Sequence, residues 1–240
     1  MWRPQAGPAL DLISCGRVER SAFSEQLRAA AAEIWEAQHA HPFVRGIGDG
    51  SLPVERFAHY VRQDYVFLIE YARMLALGAA RASDLETMRR FADIAQAILG
   101  EEMELHRAFA GEFGISEAEL EAEPPAQATQ AYTDFLVRTA ALGDLGELAA
   151  ALLPCMWGYA ELGQRLAAAG TPPDERYARW IQTYAAPEFE ELAAWCRGLV
   201  DRLGAAADDD GRARMTRAFV TCSRYELAFW EMGWTLQRWR

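Results

Sequence analysis

The sequence contains no lysine, so all 24 of its basic side chains are arginines. This absence excludes enzymes that form a Schiff base through a lysine and nucleotide-binding proteins that depend on a P-loop lysine. Set against 35 acidic residues, the arginines leave a formal net charge of −11. Because a surface of that sign repels nucleic-acid phosphates and anionic lipids, we expect neither nucleic acid nor a membrane as a partner.

Closely spaced cysteines and long apolar runs are also missing. The cysteines (Cys15, Cys155, Cys196 and Cys222) form no CxxC pair, which argues against a structural zinc site or a disulfide framework and favours a reducing compartment. No segment has the uncharged apolar length of a membrane-spanning helix. The first twenty residues lack the apolar run of a signal peptide. We therefore expect a soluble, cytoplasmic protein.

Alternating runs of β-branched residues, the usual sign of strands, are absent as well. From Ser21 onward, apolar residues recur every three or four positions, and the good helix formers Ala, Leu, Glu and Arg dominate. We therefore predict one all-α domain over residues 21–240, preceded by an extension over residues 1–20. The predicted helices cover residues 22–39, 53–82, 84–113, 127–142, 144–169, 173–184, 187–206 and 211–238.

Turn and capping signals separate these helices. The segment HPFVRGIGDGSLP contains three glycines and ends at Pro53, a residue favoured in the first turn of a helix. Because these glycines follow no strand, we interpret the segment as a turn rather than a phosphate-binding loop. Ser83 and Asp84 have the short side-chain oxygens that cap helix N-termini. The acidic residues 208–210, followed by Gly211, predict a solvated loop before the last helix.

Cys155 is the first candidate for chemistry. Pro154 lacks a backbone N–H, and its ring clashes with the carbonyl group four residues earlier, so the helix should kink or restart there. A thiol at the start of a new helix would have a pKa below its usual value of about 8.5, because the helix dipole favours the thiolate. The alternative is a buried thiol that only fills space in the core.

Asp64 shares one predicted helical face with Phe67 and Tyr71. A carboxylate on such an aromatic face is at least partly buried and needs a partner. That partner is a bound base, a helix N-terminus or, in a purely structural alternative, Arg62 or Arg73 in a salt bridge.

Glu226 shares its face in the last helix with Phe229, Trp230 and Gly233. Desolvation among these residues would raise the pKa of the carboxyl group towards the range that is useful for proton transfer. In the alternative, Glu226 lies at the edge of the apolar stripe, where it is exposed and inert.

Glu102 and His106 stand four residues apart, a spacing that helical bundles use for metal ligands. A di-iron site requires a second such pair, and His39, His41 and His59 have no matching carboxylate nearby. We therefore interpret Glu102 and His106 as packing and hydrogen-bonding residues and expect no metal site.

Four segments, in this order, resemble the TenA family of thiaminase II or aminopyrimidine aminohydrolases: HPFVRGIGDGSLPVERFAHYVRQDYVFL, LLPCMWGY, WIQTYAAPEF and FVTCSRYELAFWEM. The resemblance extends from Phe23 to Trp234 and implies a haem-oxygenase-like helical fold. It also implies a homotetramer with no metal or organic cofactor. The implied activity is hydrolysis of aminomethyl-aminopyrimidine or thiamin, which releases 4-amino-5-hydroxymethyl-2-methylpyrimidine for thiamin salvage.

The resemblance also implies roles for single residues. The nucleophile of the family matches Cys155, which indicates the cysteine-containing branch. The acid that anchors the pyrimidine matches Asp64, and the acid/base carboxylate matches Glu226. The matching pocket residues are Phe67, Tyr132 beside the nucleophile, Tyr159 and Tyr184.

Phe67 departs from the family pattern, because this position is usually a tyrosine in close relatives. A phenylalanine keeps the stacking surface and loses a hydroxyl group, which affects the expected substrate more than the reaction. Since haem-oxygenase-like folds have several functions, two alternatives stay open. One is an oxygen-using relative in which Glu102 and His106 help to bind a metal, and the other is a protein that binds the pyrimidine without turnover.

Overall fold

The computed structural model describes residues 21–239, so the predicted extension over residues 1–20 lies outside the described part. Within the described part all regular secondary structure is helical, which confirms the predicted all-α fold. None of these helices is long and apolar enough to cross a membrane. The α-helices are α1 (Phe23–Ala30), α2 (Ala32–His39), α3 (Pro42–Asp49), α4 (Val54–Arg81), α5 (Leu85–Ala97), α6 (Met103–Glu112), α7 (Glu117–Glu121), α8 (Gln127–Leu142), α9 (Leu145–Ala169), α10 (Glu175–Ala185), α11 (Pro187–Ala206) and α12 (Asp209–Thr235), with a π-helical segment (Ile98–Glu102) between α5 and α6.

Helix α9 forms the centre of the fold because part of it is apolar on every side. The side chains of residues 148–153 are all at most 1% exposed, whereas a surface helix would present one polar face. Helices α8, α10, α11 and α12 pack around α9, and α4 packs against α5 and α8. Side chains that leave α4, α9 and α12 towards this core therefore meet inside the molecule.

Helix α9 continues through Pro154, so the predicted restart of the helix at this residue is wrong. The buried apolar residues on both sides of Pro154 pack inside the core that the surrounding helices form. This packing outweighs the backbone hydrogen bond that proline cannot form. Cys155 therefore lies in the middle of a helix, where the dipole of a helix N-terminus does not reach its thiol.

The glycine-containing segment before α4 forms helix α3 rather than the predicted turn. The Nδ1 atom of His41 accepts a hydrogen bond from the N–H of Phe43 at 3.2 Å, and Pro42 occupies the first helical position. Only Gly50 serves the turn: its φ of 78° is a left-handed conformation that ends the helix. The two capping interactions explain why this segment is helical despite its glycines.

Three further differences concern helix boundaries. The predicted helix over residues 22–39 is divided at Ala31 into α1 and α2, and the one over residues 84–113 contains the π-helical segment. The short helix α7 was not predicted. Its N-cap is Ser116, which forms a reciprocal capping box with Glu119.

Aspartates cap four of the described helices, α5, α9, α10 and α12. The predicted cap at Asp84 is confirmed, since its Oδ1 accepts a hydrogen bond from the N–H of Thr87 at 2.8 Å. Asp208 caps α12 in the same way, and the next two aspartates lie in the first turn of that helix. The predicted acidic loop is therefore wrong, because negative charge is favourable at a helix N-terminus.

Gly163 allows α9 to approach the end of α10 closely. A Cβ atom at this position would lie 2.5 Å from the carbonyl carbon of Tyr184 and 2.6 Å from the backbone nitrogen of Ala185. Because backbone atoms cannot move aside as a flexible side chain does, we expect Gly163→Ala to lower the free energy of unfolding by about 1–3 kcal/mol. Urea denaturation measures this change.

Gly198→Ala in α11 is the matched control. The nearest atom to its new Cβ would be a side-chain nitrogen of Arg202 at 3.8 Å, an ordinary contact. This variant should be neutral or more stable by up to about 1 kcal/mol. Equal destabilisation of the two variants would contradict the close approach at Gly163.

Candidate active site

A cavity bordered by α4, α9, α10 and the π-helical segment brings most of the predicted site residues together. It is lined by Asp64, Phe67, Leu68, Tyr71, Glu102, Cys155, Met156, Tyr159, Tyr184 and Phe189. Two predicted residues, Tyr132 and Glu226, do not line it. Tyr132 packs against the lining residue Phe67, with ring centroids 5.0 Å apart, and it connects Glu226 to this wall.

Cys155 is partly exposed towards the cavity. Burial raises the pKa of its thiol well above the usual value, and the nearby Glu226 and Glu102 raise it further. The pKa is therefore shifted in the opposite direction to the one predicted from a helix restart. One group favours the thiolate: the hydroxyl of Tyr71 on α4, which lies near the sulfur and donates a hydrogen bond to the carbonyl oxygen of Leu152 at 3.4 Å.

The sequence places Tyr71 on the Asp64 face and gives no signal of its proximity to the thiol, because Cys155 belongs to another helix. The predicted neighbour of the nucleophile, Tyr132, instead donates its hydroxyl hydrogen to Oε1 of Glu226 at 2.6 Å. Glu226 is 2% exposed, which excludes the exposed, inert alternative. Burial raises the pKa of Glu226 to about 8, against the opposing effect of the Tyr132 hydrogen bond.

Asp64 is 4% exposed, in agreement with the burial expected from its aromatic face. Its partner is His106, whose Nε2 lies 2.7 Å from Oδ2 of the carboxyl group. The proposed salt bridges of Asp64 with arginine are wrong, because both arginines pair with other acids. Those ion pairs are Arg62–Glu123 and Arg73–Glu70, each at 2.9 Å.

Glu102 and His106 form hydrogen bonds, in agreement with their interpretation as packing and hydrogen-bonding residues, and Glu102 also lines the cavity. The Nδ1–H of His106 donates to the backbone carbonyl of Glu102 at 2.8 Å, and the hydroxyl of Tyr184 donates to Oε1 of Glu102 at 3.3 Å. Burial raises the pKa of Glu102 to about 7. Among residues 21–239 no group of three or more His, Cys, Asp or Glu side chains could hold a metal ion.

The cavity has aromatic walls. The rings of Phe67 and Tyr71 stack with centroids 5.2 Å apart, and Tyr159 meets Tyr184 edge-on at 4.8 Å. Next to it lies a groove of about 350 Å³. The groove and the cavity share Glu102, Met156, Tyr184 and Phe189, so these four side chains separate the buried site from the wider space.

A comparison with sequence models of protein families shows to which family the chain belongs. The sequence model of the TENA/THI-4/PQQC family matches residues 28–236. The chain belongs to this family. One relative, the aminopyrimidine aminohydrolase of Halalkalibacterium halodurans, is 43% identical over 218 residues, which are 90% of this chain and 97% of the relative.

Solved structures agree with the placement in the TENA/THI-4/PQQC family. A TenA homologue from P. horikoshii OT3 superposes with a TM-score of 0.82 at 31% identity, covering 89% of this chain and 99% of the homologue. A domain from Shewanella denitrificans with a heme oxygenase-like fold superposes with a TM-score of 0.72 at 13% identity, covering 88% and 92%. The second likeness concerns the fold alone, and it confirms the predicted haem-oxygenase-like architecture.

The burial of Glu226 makes the stability of this family member depend on pH. A carboxyl group whose pKa is raised from 4.5 to about 8 on folding favours the folded state while it is protonated, so its contribution falls as the pH rises through this range. Glu226→Gln keeps an acceptor for the Tyr132 hydroxyl and cannot ionise. We expect the unfolding free energy of the variant minus that of the wild type to increase by on the order of 4 kcal/mol between about pH 5 and pH 9.

Urea denaturation of both proteins at several pH values measures this difference. The difference in unfolding free energy between the two proteins is more informative than the pH dependence of either protein alone, because burial also lowers the pKa of His41 and of His59. These histidines therefore favour the folded state as the pH rises, and they affect both proteins equally. A difference that stays constant from acid to alkaline pH would contradict the raised pKa of Glu226.

Proposed function

We propose that the protein is an aminopyrimidine hydrolase. It replaces the substituent on the 5-methylene carbon of a 4-amino-2-methylpyrimidine by water, with aminomethyl-aminopyrimidine or thiamin as the substrate. The observation that carries this proposal is that Cys155 and Asp64 line one aromatic cavity while Glu226 lies within electrostatic reach of the thiol. The 43% identical aminopyrimidine aminohydrolase supports the same reaction.

The cavity suits a flat, weakly basic ring. Phe67, Tyr159 and Tyr184 offer faces and edges against which a heteroaromatic ring packs. The carboxyl group of Asp64 pairs with a ring nitrogen and the neighbouring amino group. Hydrogen bonding at the nitrogen withdraws electrons from the ring, which makes a ring carbon open to attack by a nucleophile.

Cys155 acts as this nucleophile. The thiol is protonated before the substrate binds, so the ionised form of Glu226 first accepts its proton. The thiolate then forms a sulfur–carbon bond with the ring, and the displaced electron pair expels the amine from the 5-methylene carbon. Glu226 returns the proton to the leaving amine. Water adds to the methylene carbon and gives up a proton to Glu226, the sulfur–carbon bond breaks to restore the aromatic ring, and Glu226 returns the proton to the released thiolate.

Removal of the thiol tests the proposal. We expect Cys155→Ala to reduce the formation of hydroxymethylpyrimidine from aminomethyl-aminopyrimidine by at least about a thousandfold, because the covalent step is lost. Cys196→Ala is the matched control, since Cys196 is a buried thiol that does not line the cavity. Product is measured by liquid chromatography, with thiamin as a second substrate.

Three other outcomes of this assay would contradict the proposal or its control. Equal activity of Cys155→Ala and the wild type would contradict the cysteine mechanism. A folded wild type that binds the pyrimidine and forms no product from either substrate would point to the alternative of a binding protein. Loss of activity in Cys196→Ala as well would show that the assay responds to packing rather than to the nucleophile.

Tyr71 supplies a hydroxyl group that favours the thiolate. The ring stacked on it in the cavity wall, Phe67, has no hydroxyl group. We expect Tyr71→Phe to lower kcat/KM by about tenfold to a hundredfold, since a hydrogen bond to a charged group contributes about 1.5–3 kcal/mol. The pH dependence of Cys155 alkylation by iodoacetamide should also move to higher pH. This second readout separates an effect on the thiol from a loss of packing.

Tyr65→Phe is the matched control for Tyr71→Phe. Tyr65 lies on the same helix and is 2% exposed, but its hydroxyl accepts a hydrogen bond from Arg107 at 3.2 Å and does not line the cavity. The control should keep the alkylation profile of the wild type. An unchanged profile in Tyr71→Phe would remove this tyrosine from the mechanism.

We also propose that the enzyme is a cytoplasmic homotetramer. Three leucines, Leu85, Leu99 and Leu142, are each more than half exposed, and contacts between subunits would cover such apolar side chains. The cysteines at positions 155, 196 and 222 are free thiols, which fits a reducing compartment.

A further inference from the structure

His106 is a basic group behind the cavity wall, in contact with the lining residue Asp64, and the proposed steps do not use it. It is 3% exposed and lies on α6, and its ring is held at both nitrogens. Burial opposes a charge on this ring, but the carboxylates of Asp64 and Glu102 outweigh burial, so the pKa of His106 is raised. Because His106 contacts Asp64 from behind the cavity wall, it has a role in the proposed reaction, and this role depends on the proposed hydrolase function.

The two hydrogen bonds of His106 determine where its protons are. A backbone carbonyl oxygen only accepts hydrogen bonds, so Nδ1 must carry a hydrogen to bind the carbonyl of Glu102 at 2.8 Å. A neutral His106 therefore presents a bare Nε2 to Oδ2 of Asp64, 2.7 Å away. Two acceptors cannot approach so closely without a hydrogen between them. One proton must therefore lie between Nε2 and the carboxyl group.

The surroundings favour this single shared proton. With it, Asp64 and His106 are together neutral, and a neutral pair is less unfavourable in a buried site than an isolated charge. Acidic groups and hydroxyl groups face the pair, and loss of the proton would add a further negative charge among them. The charge of Asp64 contributes to raising the pKa values of six nearby groups: Tyr60, Glu102, Cys155, Tyr159, Tyr184 and Glu226.

We infer that Asp64 and His106 store one proton in the empty enzyme and deliver it from Asp64 to a ring nitrogen of the bound aminopyrimidine. The O–H bond of Asp64 breaks and an N–H bond forms on the ring, which leaves a carboxylate against a cationic ring. His106 remains neutral, and because no hydrogen then lies between its Nε2 and Oδ2 of Asp64, the carboxylate moves from Nε2 towards the N–H and the amino group of the cationic ring. When the product leaves, the proton returns to the pair. His106 is thus a positioning residue that acts through Asp64.

Calorimetry of ligand binding tests this inference. The probe is 4-amino-2,5-dimethylpyrimidine, which has no leaving group and is not turned over. Titrations at about pH 8 in two buffers of different ionisation enthalpy give the number of protons taken up from solvent. We expect almost none for the wild type, because the proton is already stored. In His106→Gln the side chain at position 106 brings no proton of its own, so protonation of the ring must draw on the solvent, and we expect uptake of about one proton with at least about tenfold weaker binding.

His39→Gln is the matched control, because His39 also meets a carboxylate, Glu161 at 2.9 Å, away from the cavity. It should behave as the wild type does. Equal proton uptake in the wild type and His106→Gln would overturn the inference while leaving the hydrolase proposal intact. Failure of the wild type to bind the probe would instead count against the proposed function itself.

Nitrogen NMR of the wild type gives a test that needs no variant at position 106. The protein has four histidines, and substitution of the other three, one at a time, identifies the signals of His106 in ¹⁵N-histidine-labelled protein. We expect its Nδ1 to be protonated both with and without the probe. A neutral ring protonated only at Nε2 would contradict the stored proton, because that ring would donate to Asp64 as an ordinary carboxylate.

Discussion

A buried carboxylate must be neutralised or hydrogen-bonded, and this requirement determines how one wall of the cavity is built. Asp64 on α4 depends on His106 on α6 for its partner. His106 in turn depends on the carbonyl group of Glu102, in the π-helical segment, for the orientation of its ring. Helix α6 is therefore held against α4 by polar contacts inside the core as well as by packing. Removing any member would leave a polar group buried without its partner.

The same cavity places further acids near the thiol, and this limits the ligands it suits. Glu102 and Glu226 have pKa values raised by burial to about 7 and about 8, and Cys155 lies close to both. An anionic ligand would add charge of the same sign to a poorly solvated space. A neutral heterocycle adds no negative charge, and a weakly basic one compensates part of the negative charge that is already present. The electrostatics and the aromatic walls thus select for the same class of molecule.

The helical period and the capping residues were sufficient to predict most of the fold, including α8 and α11 with their observed ends. They also predicted the burial of Asp64 and Glu226, because each lies on an aromatic stripe of its own helix. The partners of these acids could not be predicted. His106 is 42 residues from Asp64 and Tyr132 is 94 residues from Glu226, so only the packing of whole helices brings them together. Packing also explains why Pro154 does not interrupt α9, an effect that local rules about proline do not include.

The π-helical segment has a consequence for insertions and deletions in the chain. Each residue of an α-helix turns the chain by about 100°, and a π-helical turn accommodates one extra residue. Deletion of one residue from Ile98–Glu102 would therefore restore an uninterrupted α-helix and leave His106 facing Asp64, whereas deletion of one residue from the α-helical turn that follows would rotate His106 by about 100° away from Asp64. The connection between α5 and α6 thus tolerates a change of length only at its π-helical turn, although it is helical throughout. Other gains and losses of residues should accumulate in loops such as residues 122–126, before α8.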